Sequence, residues 1–307
     1  MNVDALVPND PRVEYKFLSA TPDKKPKATV VLAHGWPDIG MGWRYQVPYL
    51  LSLGLEVVSP GEYTMKKMTS HVAAVIKANT DQSVILGGHD WGAAFVWRMA
   101  MYYPDLVRAV FGFCVPYLPA SPDTDTVEKL VQQLPNFRYM LSNKAGAVEA
   151  AVGDSPANMV AFVNGAFGGA TREGEPVFDP ENGVHADRLP RIGASPLLNQ
   201  QMLDYYVKEF SRHGLRGPLN WYRTWELNAK DELAFAKDHA DIKFKVPAMI
   251  VMAQNDGYLP PSLADGMENH FPAGLKKEVS ESFHWTLIEK PEESNKHIGD
   301  FIANVLA

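Results

Sequence analysis

Cysteine is nearly absent from this sequence of 307 residues, in which Cys114 is the single one and lies within an apolar run. One cysteine excludes an internal disulfide framework and is typical of a reducing compartment. We interpret Cys114 as a small buried apolar residue. The histidines have no metal-ligand spacing and there is no phosphate-binding loop, so we expect no metal, nucleotide or redox cofactor.

Long hydrophobic runs and an excess of basic charge are also missing. No apolar stretch approaches the roughly 18 residues of a membrane span, and residues 1–12 carry Asp4, Asn9 and Asp10 where a signal peptide has an apolar core. Lys and Arg total 29 against 36 Asp and Glu, a formal net charge of −7, which excludes the basic surface that nucleic acids require. We expect a cytoplasmic protein that neither enters membranes nor binds nucleic acid.

Short apolar runs alternate with helical patterns over the first third of the chain. This alternation is typical of an α/β fold, a mostly parallel sheet with helices on both faces. The predicted elements are, in order, strand 28–33, helix 43–51, strand 55–59, helix 64–77, strand 83–87, helix 91–103 and strand 107–115.

The alternation stops after residue 115, where the chain looks helical with long loops such as 165–182. Strand patterns resume later, and an amphipathic helix closes the chain. We therefore predict a core split by an inserted helical cap: residues 1–115 and 241–307 form the core, and residues 116–240 form the cap. The later elements are predicted as strand 246–253, strand 276–281 and helix 291–306.

The pentapeptide Gly-His-Asp-Trp-Gly at residues 88–92 directly follows a predicted strand and opens a predicted helix. It has the Gly-x-nucleophile-x-Gly form of the strand-turn-helix elbow, with Asp90 where serine hydrolases have serine. The glycines suit a tight turn, and we expect the helix N-terminus to favour the ionised form of Asp90. An exposed carboxylate of this kind is a nucleophile, although Asp is also an ordinary N-cap residue.

Two further residues follow later strands in the order that a hydrolase triad requires. Asp256 follows predicted strand 246–253, and His284 follows predicted strand 276–281. Open α/β sheets keep their sites at the carboxyl ends of strands, where all three residues would then lie. Taken alone, Asp256 could be a turn residue and His284 a satisfied buried histidine. Their joint placement with Asp90 favours a catalytic triad.

On these motifs the sequence resembles the epoxide hydrolases of the α/β-hydrolase fold superfamily, specifically the hydrolase domain of soluble epoxide hydrolases. The resemblance covers most of the chain. The matching motifs are residues 34–37 (His-Gly-Trp-Pro), 88–92, 136–139 (Asn-Phe-Arg-Tyr), 216–223 (Arg-Gly-Pro-Leu-Asn-Trp-Tyr-Arg), 255–257 (Asn-Asp-Gly) and 284–286 (His-Trp-Thr).

The resemblance implies that an epoxide is opened to a vicinal diol through an alkyl ester on Asp90. Tyr139 and Tyr222 match two cap tyrosines that protonate the epoxide oxygen. A phenol of pKa about 10 stays protonated at neutral pH and is acidic enough for this step. His284, oriented by Asp256, would then activate the water that hydrolyses the ester.

The loop at residues 34–37 completes the site that the resemblance implies. In that family a cis peptide bond precedes the proline, here Pro37, and directs a backbone N–H toward the nucleophile. The N–H groups of Trp36 and Trp91 would form the oxyanion hole, and both indoles, with His34 and Pro37, would line the substrate pocket. The expected partner is a small apolar epoxide, and the expected role is detoxification.

Two stretches are short for that family. The strand pair expected before residue 28 is reduced to about one strand at 13–19, and the Gly-rich acidic loop expected after strand 55–59 is absent between Pro60 and Tyr63. Either the core is trimmed or residues are omitted there.

Three other functions are compatible with parts of the pattern. A haloalkane or haloacid dehalogenase uses the same triad, but it needs no tyrosine pair, and haloalkane dehalogenases resemble one another in having Asn or Glu at the position of Trp36. A non-catalytic ligand-binding protein could share the scaffold, although such proteins often have a damaged triad. A serine esterase is weaker still, since no serine has the Gly-x-Ser-x-Gly setting.

Overall fold

The computed structural model describes residues 5–6, 14–15, 18–59, 64–239 and 242–307. The chain forms two compact units, the first comprising Met1–Pro119 with Ala234–Ala307 and the second comprising Ala120–Leu233. The sequence predicted the boundaries between core and cap after residues 115 and 240. That the two units are a hydrolase core and a separate cap domain stays a prediction.

Among the described residues, the largest sheet has seven strands and belongs to the first unit. Six strands are parallel, and the seventh pairs antiparallel with its neighbour at one edge. The order across the sheet is Leu275–Ser280, Ala248–Ala253, Val107–Phe113, Val84–His89, Ala28–Ala33, Leu55–Ser59 and Leu18–Ala20.

Helices flank this sheet. Gln46–Ser52 packs against Pro291–Leu306, and Met65–Asn79 packs against Trp91–Tyr102. Strand Ala248–Ala253 is buried along its whole length, which is why its sequence is a continuous apolar run rather than an alternating one. The predicted α/β class, with a mostly parallel sheet flanked by helices, is confirmed. Further short helical segments of this unit are Gly40–Trp43, Pro104–Leu106, Pro261–Ala264, Met267–His270 and Thr286–Glu289.

The second unit is mostly helical, as the sequence predicted for this part of the chain. It also contains a short hairpin of Phe178–Asp179 and Gly183–Val184, at the end of the stretch predicted as loop. Strands of two residues are too short to show an alternating pattern. The helical segments of this unit are Val127–Gln133, Pro135–Phe137, Tyr139–Ala145, Ala147–Val152, Pro156–Ala166, Leu189–Arg191, Gln200–His213, Asn220–Arg223 and Trp225–Asp238, the last of which extends into the first unit.

The N-terminal segment differs from its prediction. Ala5–Leu6 pairs antiparallel with Glu14–Tyr15, so a strand pair is present where one strand at 13–19 was predicted. Residues 13 and 16–17 of the predicted strand lie outside the described residues, and so do residues 60–63, where a loop was expected to be shortened. Within the described ranges, no helix combines the length and the apolarity needed to cross a membrane.

Candidate active site

The turn after strand Val84–His89 holds Asp90 in a strained backbone conformation. Its φ of 55° and ψ of −125° lie outside the regions that non-glycine residues commonly adopt. A Cβ at Gly88 would lie 2.3 Å from the carbonyl oxygen of Gly92, and a Cβ at Gly92 would lie 2.1 Å from that of Ala33. Both positions therefore require glycine. Asp90 occupies the N-cap position of helix Trp91–Tyr102, but its side chain does not make the capping hydrogen bond that is usual at this position.

The carboxylate of Asp90 is instead held by backbone donors. The N–H of Trp36 donates to its Oδ1 at 2.8 Å, and the N–H of Trp91 also bonds to this group. Burial raises the pKa of Asp90 above its ordinary value, and the two N–H groups and His284 offset only part of that effect. The sequence predicted a net preference for the ionised form. The prediction omitted desolvation, which raises the pKa of Asp90 more than His284 and the two N–H groups lower it.

Asp256 and His284 form a tight pair in the same unit. Nδ1 of His284 lies 2.7 Å from Oδ2 of Asp256, while Oδ1 of Asp256 accepts the N–H groups of Tyr258 and Leu259 at 2.9 and 3.2 Å. Nε2 of His284 lies 3.8 Å from Oδ2 of Asp90. The three predicted triad residues are therefore brought together, with the imidazole between the two carboxylates.

The charges of this pair stabilise each other. Burial alone would raise the pKa of Asp256, but the charge of His284 and its hydrogen bond lower that pKa below its ordinary value. Burial alone would lower the pKa of His284, but Asp256, and then Asp90, raise it to about 9. With both carboxylates charged, the imidazole holds a proton at neutral pH.

His89 contacts the main chain of His284 from the elbow. Its Nε2 lies 2.9 Å from the carbonyl oxygen of His284, and Sγ of Cys114 lies 3.3 Å from the same oxygen. Burial, followed by the charge of His284, lowers the pKa of His89 to about 3, so its ring is neutral and Nε2 can donate. The sequence assigned no role to His89, because no local pattern connects positions 195 residues apart.

These two histidines predict a maximum of stability near pH 6.5, their ordinary pKa. As pH rises from 6.5 through about 9, the unfolded chain loses the proton that folded His284 retains, so stability falls. As pH falls from 6.5 toward 3, the unfolded chain binds a proton that folded His89 does not, so stability falls again. Urea unfolding between pH 4 and 9.5, roughly two to three pH units on either side of the maximum, measures how stability falls in both directions.

The variant His284→Gln should lose the decline of stability on the alkaline side. His213→Gln, at an exposed helix end, is the control and should keep it. An unchanged alkaline slope in His284→Gln would contradict the assignment of this slope to His284.

The loop of residues 34–37 lies in the first unit. The peptide bond between Trp36 and Pro37 is cis, as predicted. The side chain of Trp36 is buried, those of His34 and Pro37 are half-buried, and Nδ1 of His34 lies 3.1 Å from the carbonyl oxygen of Gly35. That Trp36, Trp91, His34 and Pro37 line a substrate pocket stays a prediction.

The two predicted proton donors are neighbours within the second unit. Tyr139 begins helix Tyr139–Ala145, and Tyr222 lies in helix Asn220–Arg223. Their ring centroids are 5.9 Å apart in an edge-to-face arrangement, and the ring of Phe137 stacks on that of Tyr139 at 6.5 Å. That their hydroxyl groups act together on one substrate oxygen stays a prediction.

Within the described ranges, one group of side chains has the composition of a metal site. The potential ligand atoms of His89, Cys114 and His284 lie within 4.8 Å of one another. Their chemistry does not fit a resident metal. Burial raises the pKa of Cys114 well above its ordinary value, which disfavours the thiolate that a metal requires.

Known proteins are similar to this chain in sequence and in fold. A family model described as alpha/beta hydrolase fold matches residues 28–291. The curated "Epoxide hydrolase" of Neurospora crassa is 44% identical over the full length of both chains, in an alignment of 342 positions. That alignment is longer than the 307 residues of this chain, so it contains gaps in this sequence.

Two further matches are a longer relative, found by sequence, and a solved structure. The "Bifunctional epoxide hydrolase 2" of Sus scrofa is 30% identical over 87% of this chain, which spans half of that protein. The crystal structure of "Epoxide Hydrolase A" from Mycobacterium thermoresistibile superimposes with a TM-score of 0.76 at 27% identity, covering 94% of both chains.

Proposed function

Since the chain belongs to the α/β-hydrolase fold family and is an epoxide hydrolase, we propose that it forms its diol product through an alkyl ester on Asp90. The observation that carries this proposal is the position of His284. Its Nε2 lies 3.8 Å from Asp90, and its Nδ1 is bonded to Asp256 at 2.7 Å. This is the arrangement of a nucleophile, a base and an orienting acid.

In the first step, an oxygen of Asp90 attacks a carbon of the epoxide. A carbon–oxygen bond forms to the carboxylate, and the ring carbon–oxygen bond breaks with its electron pair on the departing oxygen. That alkoxide is about as basic as hydroxide and needs a proton, which Tyr139 or Tyr222 donates. The neighbouring phenol can hydrogen-bond to the phenolate so formed, which is why a pair serves better than one tyrosine.

In the second step, water attacks the ester carbonyl of Asp90. Nε2 of His284 takes the proton from this water, and the N–H groups of Trp36 and Trp91 stabilise the negative charge on the carbonyl oxygen. Esterification removes the charge of Asp90, one of the charges that raise the pKa of His284. Loss of this charge lowers the pKa of His284, so a larger fraction of the imidazole is in the neutral form that acts as the base. When the intermediate collapses, the bond from the carbonyl carbon to the diol oxygen breaks, and that oxygen takes the proton held by His284. The carboxyl group of Asp90 then releases its proton to solvent and the phenolate takes one up, so the enzyme returns to its starting state.

The tyrosines can be tested by removing their hydroxyl groups. We expect Tyr139→Phe and Tyr222→Phe each to slow ester formation about 10-fold or more, and the double variant about 1,000-fold, because the alkoxide then lacks its acid. Rapid-quench kinetics with excess enzyme measures this step. Tyr206→Phe, at a fully buried tyrosine of the same unit, is the control and should leave the rate unchanged. A double variant with the wild-type rate would contradict the assignment.

A substrate panel separates this reaction from dehalogenation. Neutral aryl and alkyl epoxides are incubated with the protein beside 1-haloalkanes and haloacetate, and diol and halide are assayed in parallel. Diol from epoxides alone is expected. Release of halide would instead make Tyr139 and Tyr222 part of the pocket lining.

We also propose that the substrate is a small apolar epoxide, that the role is detoxification and that the location is cytoplasmic. The single cysteine supports the location, and the net charge of −7 argues against nucleic-acid partners. Cell fractionation tests the location. Competition between apolar epoxides and charged ones of equal size tests the substrate class.

A further inference from the structure

Glu289 holds the main chain on both sides of His284. Its Oε2 accepts the N–H of Phe283 at 2.8 Å, and its Oε1 accepts the N–H of Trp285 at 2.9 Å. Glu289 is the last residue of the short helix Thr286–Glu289, which follows directly. A single carboxylate therefore bridges the N–H groups of the two residues on either side of the histidine.

These two hydrogen bonds complete the restraints on His284. The carbonyl oxygen of His284 lies 2.9 Å from Nε2 of His89, and the ring of His284 is hydrogen-bonded to Asp256. The preceding residue is not held by packing of its side chain, since Phe283 is 64% exposed. Glu289 thus supplies the restraint that side-chain burial does not supply at this point of the loop.

We propose that Glu289 is a positioning residue for His284 in hydrolysis of the ester, an inference that rests on the proposed function. Nε2 of His284 must lie within hydrogen-bonding reach of the attacking water and of the ester carbonyl. A misplacement of about 1 Å can slow such a step about 100-fold. Opening of the epoxide, by contrast, uses Asp90 and the tyrosines and needs no proton transfer to His284.

The variant Glu289→Gln tests this role with little change of size. Its amide offers one acceptor oxygen and turns an NH₂ group toward the second backbone donor, so one of the two hydrogen bonds is lost. We expect ester hydrolysis to slow about 10- to 100-fold and ester formation to stay within about twofold of wild type. Rapid-quench intact-protein mass spectrometry measures the appearance and the decay of the ester separately.

A pH profile of ester decay provides a second readout, which a purely structural role would not change. The charged groups that face His284 and raise its pKa are Asp256, Asp90 and Glu289, while the neutral ring of His89 lies behind it. Once Asp90 is esterified in Glu289→Gln, two of these three charges are gone and that of Asp256 remains. The apparent pKa of the decay should therefore fall in the variant.

Glu281→Gln is the matched control. Glu281 is exposed and precedes His284 by three residues, so this variant removes the same charge from the same segment. Both rate constants and the pKa of ester decay should remain those of wild type.

The outcomes are distinct. Wild-type decay of the ester in Glu289→Gln, or equal slowing of both steps, overturns the inference. If that variant does not fold, Glu289→Asp retains the charge and shortens the reach, and slower decay with unchanged ester formation is again required. If the wild type never shows an ester mass, the proposed function fails and this inference with it, whereas an ester that decays normally in the variant contradicts the role of Glu289 alone.

Discussion

Asp90→Asn should abolish diol formation, with a loss of about 10,000-fold or more in kcat, because an amide oxygen of the same shape is a poor nucleophile. The variant retains the size of the side chain at the strained turn and can still accept the N–H of Trp36, so it should fold as the wild type does. Diol release from a neutral epoxide is the measurement. Asp105→Asn, at an exposed position of the same unit, is the control and should be fully active.

Oxygen labelling checks the same role without a mutation. In a single turnover with excess enzyme in heavy-oxygen water, one diol oxygen should come from the carboxylate of Asp90 and carry no label. The label should remain in that carboxylate. Label incorporated directly into the first diol formed would contradict the covalent route, whichever residues orient the water.

His284→Gln should form the ester and then stop. Opening of the epoxide does not require this imidazole, whereas hydrolysis does, so kcat should fall about 1,000-fold or more while an adduct with the mass of the substrate accumulates on the enzyme. Intact-protein mass spectrometry after mixing with substrate measures the adduct. His213→Gln should show no accumulation. Finding unmodified His284→Gln protein after prolonged incubation would count against His284 as the hydrolytic base.

Elements whose signal is local could be predicted closely. The β-branched run gives strand Ala28–Ala33 its predicted bounds, and the amphipathic period does the same for helix Pro291–Leu306. The glycines around Asp90 indicated a tight turn, and the distances at Gly88 and Gly92 show why a side chain is excluded there. In each case the decisive interactions lie within a few neighbouring residues.

Elements without a local signal were missed. The hairpin of Phe178–Asp179 and Gly183–Val184 has strands too short to show a pattern. Part of its turn is built by Asp179, whose Oδ1 accepts the N–H groups of Glu181 and Asn182 at 2.9 and 2.7 Å. The sequence also missed strand Ala5–Leu6, whereas its partner Glu14–Tyr15 lies within the strand predicted at 13–19.

The sequence by itself determined the fold class and the chain order of Asp90, Asp256 and His284, since periodicity and motif spacing record which residues follow which strand. Only the tertiary structure decided the charge balance and the contacts of this site. The pKa of Asp90 is set by burial against its neighbours, and the main chain of His284 is held by His89 and Glu289. Desolvation and hydrogen bonds depend on which atoms meet in space, and that information is not contained in spacing along the chain.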